Sequence, residues 1–158
     1  MRKSTHLFTV LVAAALFAAG PVAADDFKLT YNFSFGSVLE ADITGELQDD
    51  GDTVIVSAIE NARLDGKAGP DLTFINSLSD LVEGTDANEP VLTLSGQNND
   101  ISICSDNTCV TEFITFDGVK QFLGKPGIYT SAAFGSTFSG GPNAGEEYDP
   151  ANYSLEPK

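Results

Sequence analysis

The chain has 158 residues, and its 23 acidic residues against 8 basic ones give a formal charge of −15. Such a negative surface repels phosphate backbones and anionic bilayers, so these values exclude nucleic-acid binding. The length suits one domain with its own hydrophobic core.

The first 24 residues are typical of a secretory signal peptide. Arg2 and Lys3 precede an apolar run over residues 7–19, and small residues lead to a cleavage position between Ala24 and Asp25. The apolar run is shorter than the roughly 20 residues that a membrane-spanning helix needs. We therefore predict that residues 1–24 are removed and that residues 25–158 form a single acidic domain. Its predicted location is extracellular or periplasmic, with no membrane insertion after signal removal.

Residues with nucleophilic or metal-binding chemistry are scarce after the leader. The only histidine is His6, so residues 25–158 cannot assemble a Ser-His-Asp or Cys-His mechanism or an imidazole metal site. Loss of Arg2 and Lys3 leaves six basic residues against all 23 acidic ones, a formal charge of −17. The two cysteines, Cys104 and Cys109, are close in sequence, which in an exported chain predicts a disulfide.

The first half of the mature chain has two β-strand signals. Residues 27–35 alternate strictly between large apolar and polar side chains, which predicts a strand with one buried face. Residues 41–47 and 53–59 flank an Asp-Gly turn and predict a hairpin. Residues 61–70 are predicted to be a loop, and residues 72–82 fit a helix and a strand–turn–strand about equally well.

The sequence of the second half of the mature chain predicts a meander of short strands, with a glycine-rich loop over residues 135–145. Seven to nine short strands favour an all-β fold, an antiparallel β-sandwich or barrel-like domain of the jelly-roll type, with residues 72–82 as the one candidate for a short helix. The predicted strands of this half are residues 91–95, 101–104, 109–116, 120–123, 128–134 and 153–155.

Two acidic groups carry the only candidate chemistry. Asp49, Asp50 and Asp52 surround a glycine and supply oxygen ligands of the kind that calcium prefers, although Asp and Gly are also what solvated hairpin turns use. Glu146, Glu147 and Asp149 offer paired carboxylates for acid–base chemistry on a glycosidic bond, or form a solvated loop. Calcium is thus the one cofactor under consideration.

Several segments resemble a group of exported bacterial proteins of unknown function. The segments are residues 31–35, 43–48 and 50–54, together with the closing residues 148–155, which are similar to the stretch that precedes the sorting tail of PEP-CTERM proteins. The sequence ends at Glu156-Pro157-Lys158, without the transmembrane helix and basic end of that tail. The resemblance implies an exported β-rich ectodomain, and free secretion is the expectation. It implies no active site.

These observations favour a secreted, non-enzymatic β-domain that serves as an extracellular structural or binding module. The partner class that they favour is extracellular polysaccharide or matrix. A calcium-dependent carbohydrate-binding domain is the alternative hypothesis, and a glycan-active hydrolase is the third.

Overall fold

A computed structural model of the chain describes residues 24–110, 112–118, 121–122, 125–126, 131–136 and 143–158. All of the predicted signal peptide except Ala24 lies outside these residues. The described residues are mostly β-strand with one short α-helix, which confirms the all-β prediction. None of the helices in the described ranges is long and apolar enough to cross a membrane.

Thirteen strands, one α-helix and one 3-10 turn are present in the described ranges. The number exceeds the predicted seven to nine because several strands have only two to four residues. In chain order they are β1 (Asp25–Asn32), β2 (Val38–Leu47), β3 (Thr53–Leu64), β4 (Lys67–Ala68), β5 (Phe74–Asn76), α1 (Leu78–Glu83), β6 (Val91–Thr93), β7 (Asp100–Cys104), β8 (Phe113–Asp117), β9 (Gln121–Phe122), β10 (Lys125–Pro126), β11 (Ser131–Phe134), β12 (Ala144–Glu147), the 3-10 turn (Pro150–Asn152) and β13 (Tyr153–Pro157).

Eleven of these strands form one antiparallel sheet that curls into a half-barrel. The main path runs β12-β11-β8-β7-β6-β3-β2-β1-β13, with β4 paired to β3 and β5 paired to β7. The strands β9 and β10 make a separate two-stranded hairpin. A single curled sheet matches the barrel-like form of the predicted fold.

The concave side of the sheet holds the hydrophobic core. Alternate residues of β1 point inward, so Phe27, Leu29 and Tyr31 are at most 1% exposed. The antiparallel register places each opposite an inward residue of β2 or β13, as with Tyr31 between Leu39 and Tyr153. Period-two alternation therefore becomes one continuous apolar layer across neighbouring strands.

Two irregularities in β3 bend the sheet. The register with β2 shifts between Thr44 and Gly45 and again between Glu40 and Asp42, and each shift places an extra residue in β3. Such bulges increase the local twist and curl a sheet. Gly45 lies where strands come close, since a Cβ there would stand 2.6 Å from the carbonyl oxygen of Ile55. The second bulge contains Asn61, whose φ of 53° is left-handed.

The corner between β12 and β13 connects the two ends of the sheet path. Tyr148 lies in this corner, and its ring stacks on Tyr31 of β1 at a centroid distance of 5.7 Å. Its hydroxyl donates to the Gly96 carbonyl oxygen at 2.8 Å and accepts from Nδ2 of Asn99 at 2.9 Å. Asn99 is fully buried, and its Oδ1 accepts from the backbone N–H of Thr93 at 2.8 Å. The β6–β7 turn is thereby joined to the closing corner.

The helix α1 covers the convex side of β7 and β8. Ser77 caps its N-terminus by accepting from the Asp80 N–H, and Gly84 ends it with a φ of 68°. Ser77 also donates to Asp100 of β7 at 2.7 Å. The ambiguous stretch 72–82 is thus a strand, β5, followed by this helix, and each of the two interpretations is correct for one half.

The strand predicted over residues 27–35 ends early, at Asn32. Residues 33–37 form a tight turn instead, with the Gly36 N–H bonded to the Phe33 carbonyl oxygen at 2.9 Å. Gly36 has a φ of 96°, a value that glycine adopts without strain. Phe35 is consequently 52% exposed, so the prediction that all five large residues share a buried face is wrong at this position.

Several other boundaries also differ from the predictions. The predicted loop 61–70 begins inside β3, because the bulge lets Ala62 and Leu64 keep contributing to the core. Cys109 does not begin a strand, since the disulfide draws it into a loop with a φ of 53° and β8 starts at Phe113. β8 ends at Asp117, one residue beyond the predicted end of this strand at residue 116. Residues 128–130 of the predicted strand 128–134 lie outside the described residues.

Replacing Asn99 with Ala tests the link between the turn and the corner. The variant leaves the Thr93 N–H buried without its acceptor, so we expect the free energy of unfolding to fall by about 2–4 kcal/mol. Urea unfolding followed by tyrosine fluorescence measures the loss. Asn98→Ala is the matched control, since Asn98 is exposed. Equal stability of the two variants would contradict the assigned role.

Candidate functional sites

The acidic turn at Asp49, Asp50 and Asp52 forms hydrogen bonds within the fold. Oδ1 of Asp50 accepts from the backbone N–H groups of Asp52 and Thr53 at 2.9 and 2.8 Å, and its Oδ2 accepts from the Thr53 hydroxyl. These bonds hold the pKa of Asp50 below its ordinary value. Asp52 accepts from the N–H and the hydroxyl of Ser95, so it ties the β2–β3 turn to the end of β6.

The same bonds bear on the calcium hypothesis. A calcium ion needs about six to eight oxygens, and both carboxylate oxygens of Asp50 and of Asp52 already accept protein donors. Among the described residues, no three acidic, cysteine or histidine side chains are grouped closely enough to hold a metal ion. The geometry gives Asp50 and Asp52 a structural role, and calcium binding stays a prediction.

Cys104 and Cys109 form the predicted disulfide, with their Cα atoms 5.2 Å apart. Cys104 ends β7 and is fully buried, and the five-residue separation closes a short loop. Because no other cysteine exists in the chain, this bond uses every thiol. It pins the loop between β7 and β8.

The second acidic group, Glu146, Glu147 and Asp149, lies along β12 and the corner that follows it. Glu146 accepts from the hydroxyl of Tyr31 at 3.2 Å, from the Ser34 N–H at 2.9 Å and from the Ser34 hydroxyl. Asp149 caps the 3-10 turn by accepting from the Ala151 N–H at 2.9 Å. Glu146 thus joins the edge strand β12 to the turn after β1, and Asp149 shapes the corner.

Tyr31 is the titratable group that this arrangement perturbs. Its ring is buried, and its hydroxyl both donates to Glu146 and accepts from the Asp149 N–H at 3.1 Å. Burial, helped by the negative charge of Glu146, raises the pKa of Tyr31 to about 12. Burial also raises the pKa of Tyr148 above its ordinary value. Both phenols are therefore neutral hydrogen-bonding groups at physiological pH.

Another hollow in the described part of the chain lies beside the second bulge of β3. It is an open groove with a volume of about 480 Å³. Hereafter it is called the bulge groove, and it contains one cationic side chain, Arg63. Its lining includes Ile59, Glu60, Asn61, Arg63, Asp71 and Leu72.

Sequence reasoning missed the bulge groove. About half of its lining lies in residues 61–70, which are predicted to form a loop, because a bulge inside a strand leaves only a break in alternation. One signal was available: Arg63 is the only arginine in residues 25–158. Arginine presents a planar group with five N–H donors, which suits a bidentate contact with a carboxylate.

Alkaline titration tests the environment of Tyr31. Its pKa in the folded chain exceeds the ordinary value of 10.0, so the phenol ionises first in the unfolded chain. The corresponding stabilisation is complete below about pH 10 and is lost as the pH rises toward about 12. Between about pH 9 and 11.5 we expect the wild type to lose roughly 2 kcal/mol more stability than Tyr31→Phe. Urea unfolding followed by circular dichroism measures this, and parallel pH profiles would refute it.

Divalent cations test the calcium hypothesis at Asp49, Asp50 and Asp52. We expect equal concentrations of calcium and magnesium to raise the melting temperature equally, because both screen the same negative surface. Scanning calorimetry at constant ionic strength measures the two shifts. A rise of several degrees with calcium alone, abolished in Asp49→Asn but kept in Asp25→Asn, would instead support a calcium site.

Comparison with known proteins gives no relative from which to transfer a site. No family model matches the chain, and neither a curated protein nor a solved structure shows significant similarity. The similarity to PEP-CTERM ectodomains therefore remains a prediction from short segments.

Proposed function

We propose that the chain is an exported, non-enzymatic β-domain that acts as an extracellular binding module. The observation that carries this proposal is the use made of the candidate catalytic carboxylates. Glu146 accepts three hydrogen bonds from Tyr31 and Ser34, and Asp149 caps a turn. These bonds tie both groups into the fold, and together with Glu147 the two groups also line an open hollow of about 410 Å³.

The kind of chemistry available supports the same conclusion. Residues 25–158 contain no histidine, and both cysteines are paired. Without imidazole or thiol, catalysis would need a carboxylate with a raised pKa as its general acid. The shifted aspartates, among them Asp42, Asp50 and Asp80, all have pKa values below the ordinary one, because hydrogen bonds stabilise their charged form. These aspartates are therefore charged at neutral pH and act as hydrogen-bond acceptors.

Export and binding are also consistent with the shape of the domain. A disulfide is maintained in oxidising compartments, and the chain has one in a short loop. A curled sheet with both ends joined at one corner is a rigid support, and the bulge groove opens on its surface. Rigid scaffolds with open polar grooves suit recognition of hydroxylated polymers.

The test compares binding with cleavage on a polysaccharide panel. We expect the chain beginning at Asp25 to be retained by at least one polysaccharide without releasing reducing ends. Affinity electrophoresis and a reducing-sugar assay measure the two properties on the same panel.

Glu146→Gln and Glu147→Gln form a matched pair of variants for this experiment. The first should be less stable by about 1–3 kcal/mol, because the amide side chain keeps the volume but loses the charge-assisted bonds, and the second should be unchanged. Reducing ends released by the wild type and lost only in Glu146→Gln would overturn the non-enzymatic proposal and favour a glycan-active hydrolase. Absence of binding to every polysaccharide would overturn binding.

A further inference from the structure

We propose that the bulge groove binds a hydroxylated ligand that carries a single carboxylate, such as an acidic sugar residue, with Arg63 holding the carboxylate. This inference rests on the proposed function and names the ligand class and the site. Its basis is the state of Arg63, an exposed cation that forms no ion pair with any described residue.

The carboxylates placed around Arg63 by register and sequence are engaged elsewhere. Glu40 lies directly across from Arg63 on β2, but it pairs with Lys28 at 3.1 Å. Asp42 pairs with Lys158 at 2.7 Å and also accepts from Nδ2 of Asn61. Asp65 accepts from the Val38 N–H at 2.8 Å. These three carboxylates are thus bound to other donors, and none of them pairs with the Arg63 guanidinium.

The backbone that presents Arg63 is unusual. The extra residue of the bulge changes which residues of β3 point outward beyond it. Asn61 in this bulge adopts a φ of 53°. Left-handed backbone at a residue other than glycine is uncommon, and such strain persists where surrounding bonds maintain it. Here the bond of 2.7 Å between Asn61 and Asp42 maintains it. Bulges of this kind re-aim side chains at binding sites.

The remaining lining of the groove favours a hydroxylated ligand over an apolar one. Ile59 and Leu72 are at most 9% exposed, so they offer little apolar surface. Glu60 and Asp71 also line the groove and accept no hydrogen bond from the described residues. Carboxylate acceptors beside a guanidinium match a molecule that has both hydroxyl donors and one carboxylate.

The net charge of the domain sets the charge of the ligand. A surface with a formal charge near −17 after leader removal repels a polyanion along its whole length. A ligand with one carboxylate carries a single negative charge, so it is repelled less than a polyanion. A bidentate contact with Arg63 can offset that repulsion. We therefore expect either a free sugar acid or a single acidic residue on a neutral glycan, rather than a polyuronate.

The experiment titrates the chain beginning at Asp25 with D-glucuronate, D-glucose and acetate, followed by amide chemical shifts. We expect D-glucuronate to perturb the bulge groove with a dissociation constant of about 1 mM, and D-glucose and acetate to bind at least about 10-fold more weakly. A neutral oligosaccharide bearing one glucuronate separates the two sources. Tighter binding than D-glucuronate identifies a glycan, whereas equal or weaker binding identifies a free sugar acid.

Variants localise the site. Arg63→Gln should weaken D-glucuronate binding by about 10- to 100-fold, and Arg63→Lys should fall between this variant and the wild type because an ammonium lacks the planar fork. Lys67→Gln is the matched control, since it removes the same charge from neighbouring β4 outside the groove. It should bind as the wild type does.

Two results would overturn the inference. One is D-glucuronate binding that Arg63→Gln leaves unchanged, and the other is no perturbation of the groove by any of the four probes. Polysaccharide retention that is unaffected by Arg63→Gln would reject this groove while leaving the proposed binding function intact. Melting temperatures of all variants show whether a loss of binding reflects unfolding, which exposed Arg63 makes unexpected.

Discussion

The fold depends on the packing of Tyr31 against Tyr148, which holds the two ends of one curled sheet together. Tyr31 is on β1, one strand from the β13 end, and Tyr148 follows β12, the strand at the opposite end. Burying both rings removes a large apolar area from water, but it also buries two hydroxyls that need partners. Glu146, the Asp149 N–H, Asn99 and the Gly96 carbonyl provide them.

This closure explains why so many polar residues have structural roles. A curled sheet has two end strands whose unpaired edges invite further pairing. Here the corner between β12 and β13 passes close to β1, and the Ser34 N–H and hydroxyl donate hydrogen bonds to Glu146 of β12. Glu146 and Asp149, which resemble part of a catalytic group in sequence, form hydrogen bonds that connect parts of a nearly closed sheet. Asp52 connects two turns by the same chemistry through Ser95.

The bulge groove results from the same irregularities that help the sheet to curl. The two register shifts in β3 help the sheet to curl, and the second also opens a hollow beside Asn61 and Arg63. Glu40 and Asp42 pair with Lys28 and Lys158, and Arg63 forms no ion pair with any described residue. The second bulge of β3 therefore both helps to curl the sheet and forms the bulge groove.

The sequence by itself determined the β class, the β2–β3 hairpin and the disulfide. It also predicts the export signal. Period-two alternation, the Asp-Gly turn and paired cysteines are local signals. They can therefore be recognised from the sequence without knowledge of the fold. The turn over residues 33–37, the bulges in β3 and the partners of Glu146 were decided only by tertiary structure. Glu146 lies 112 residues from Ser34, and its role depends on how the sheet curls. Whether a carboxylate stabilises the fold, binds a ligand or acts as an acid depends on such distant neighbours. The local sequence does not show which neighbours these are.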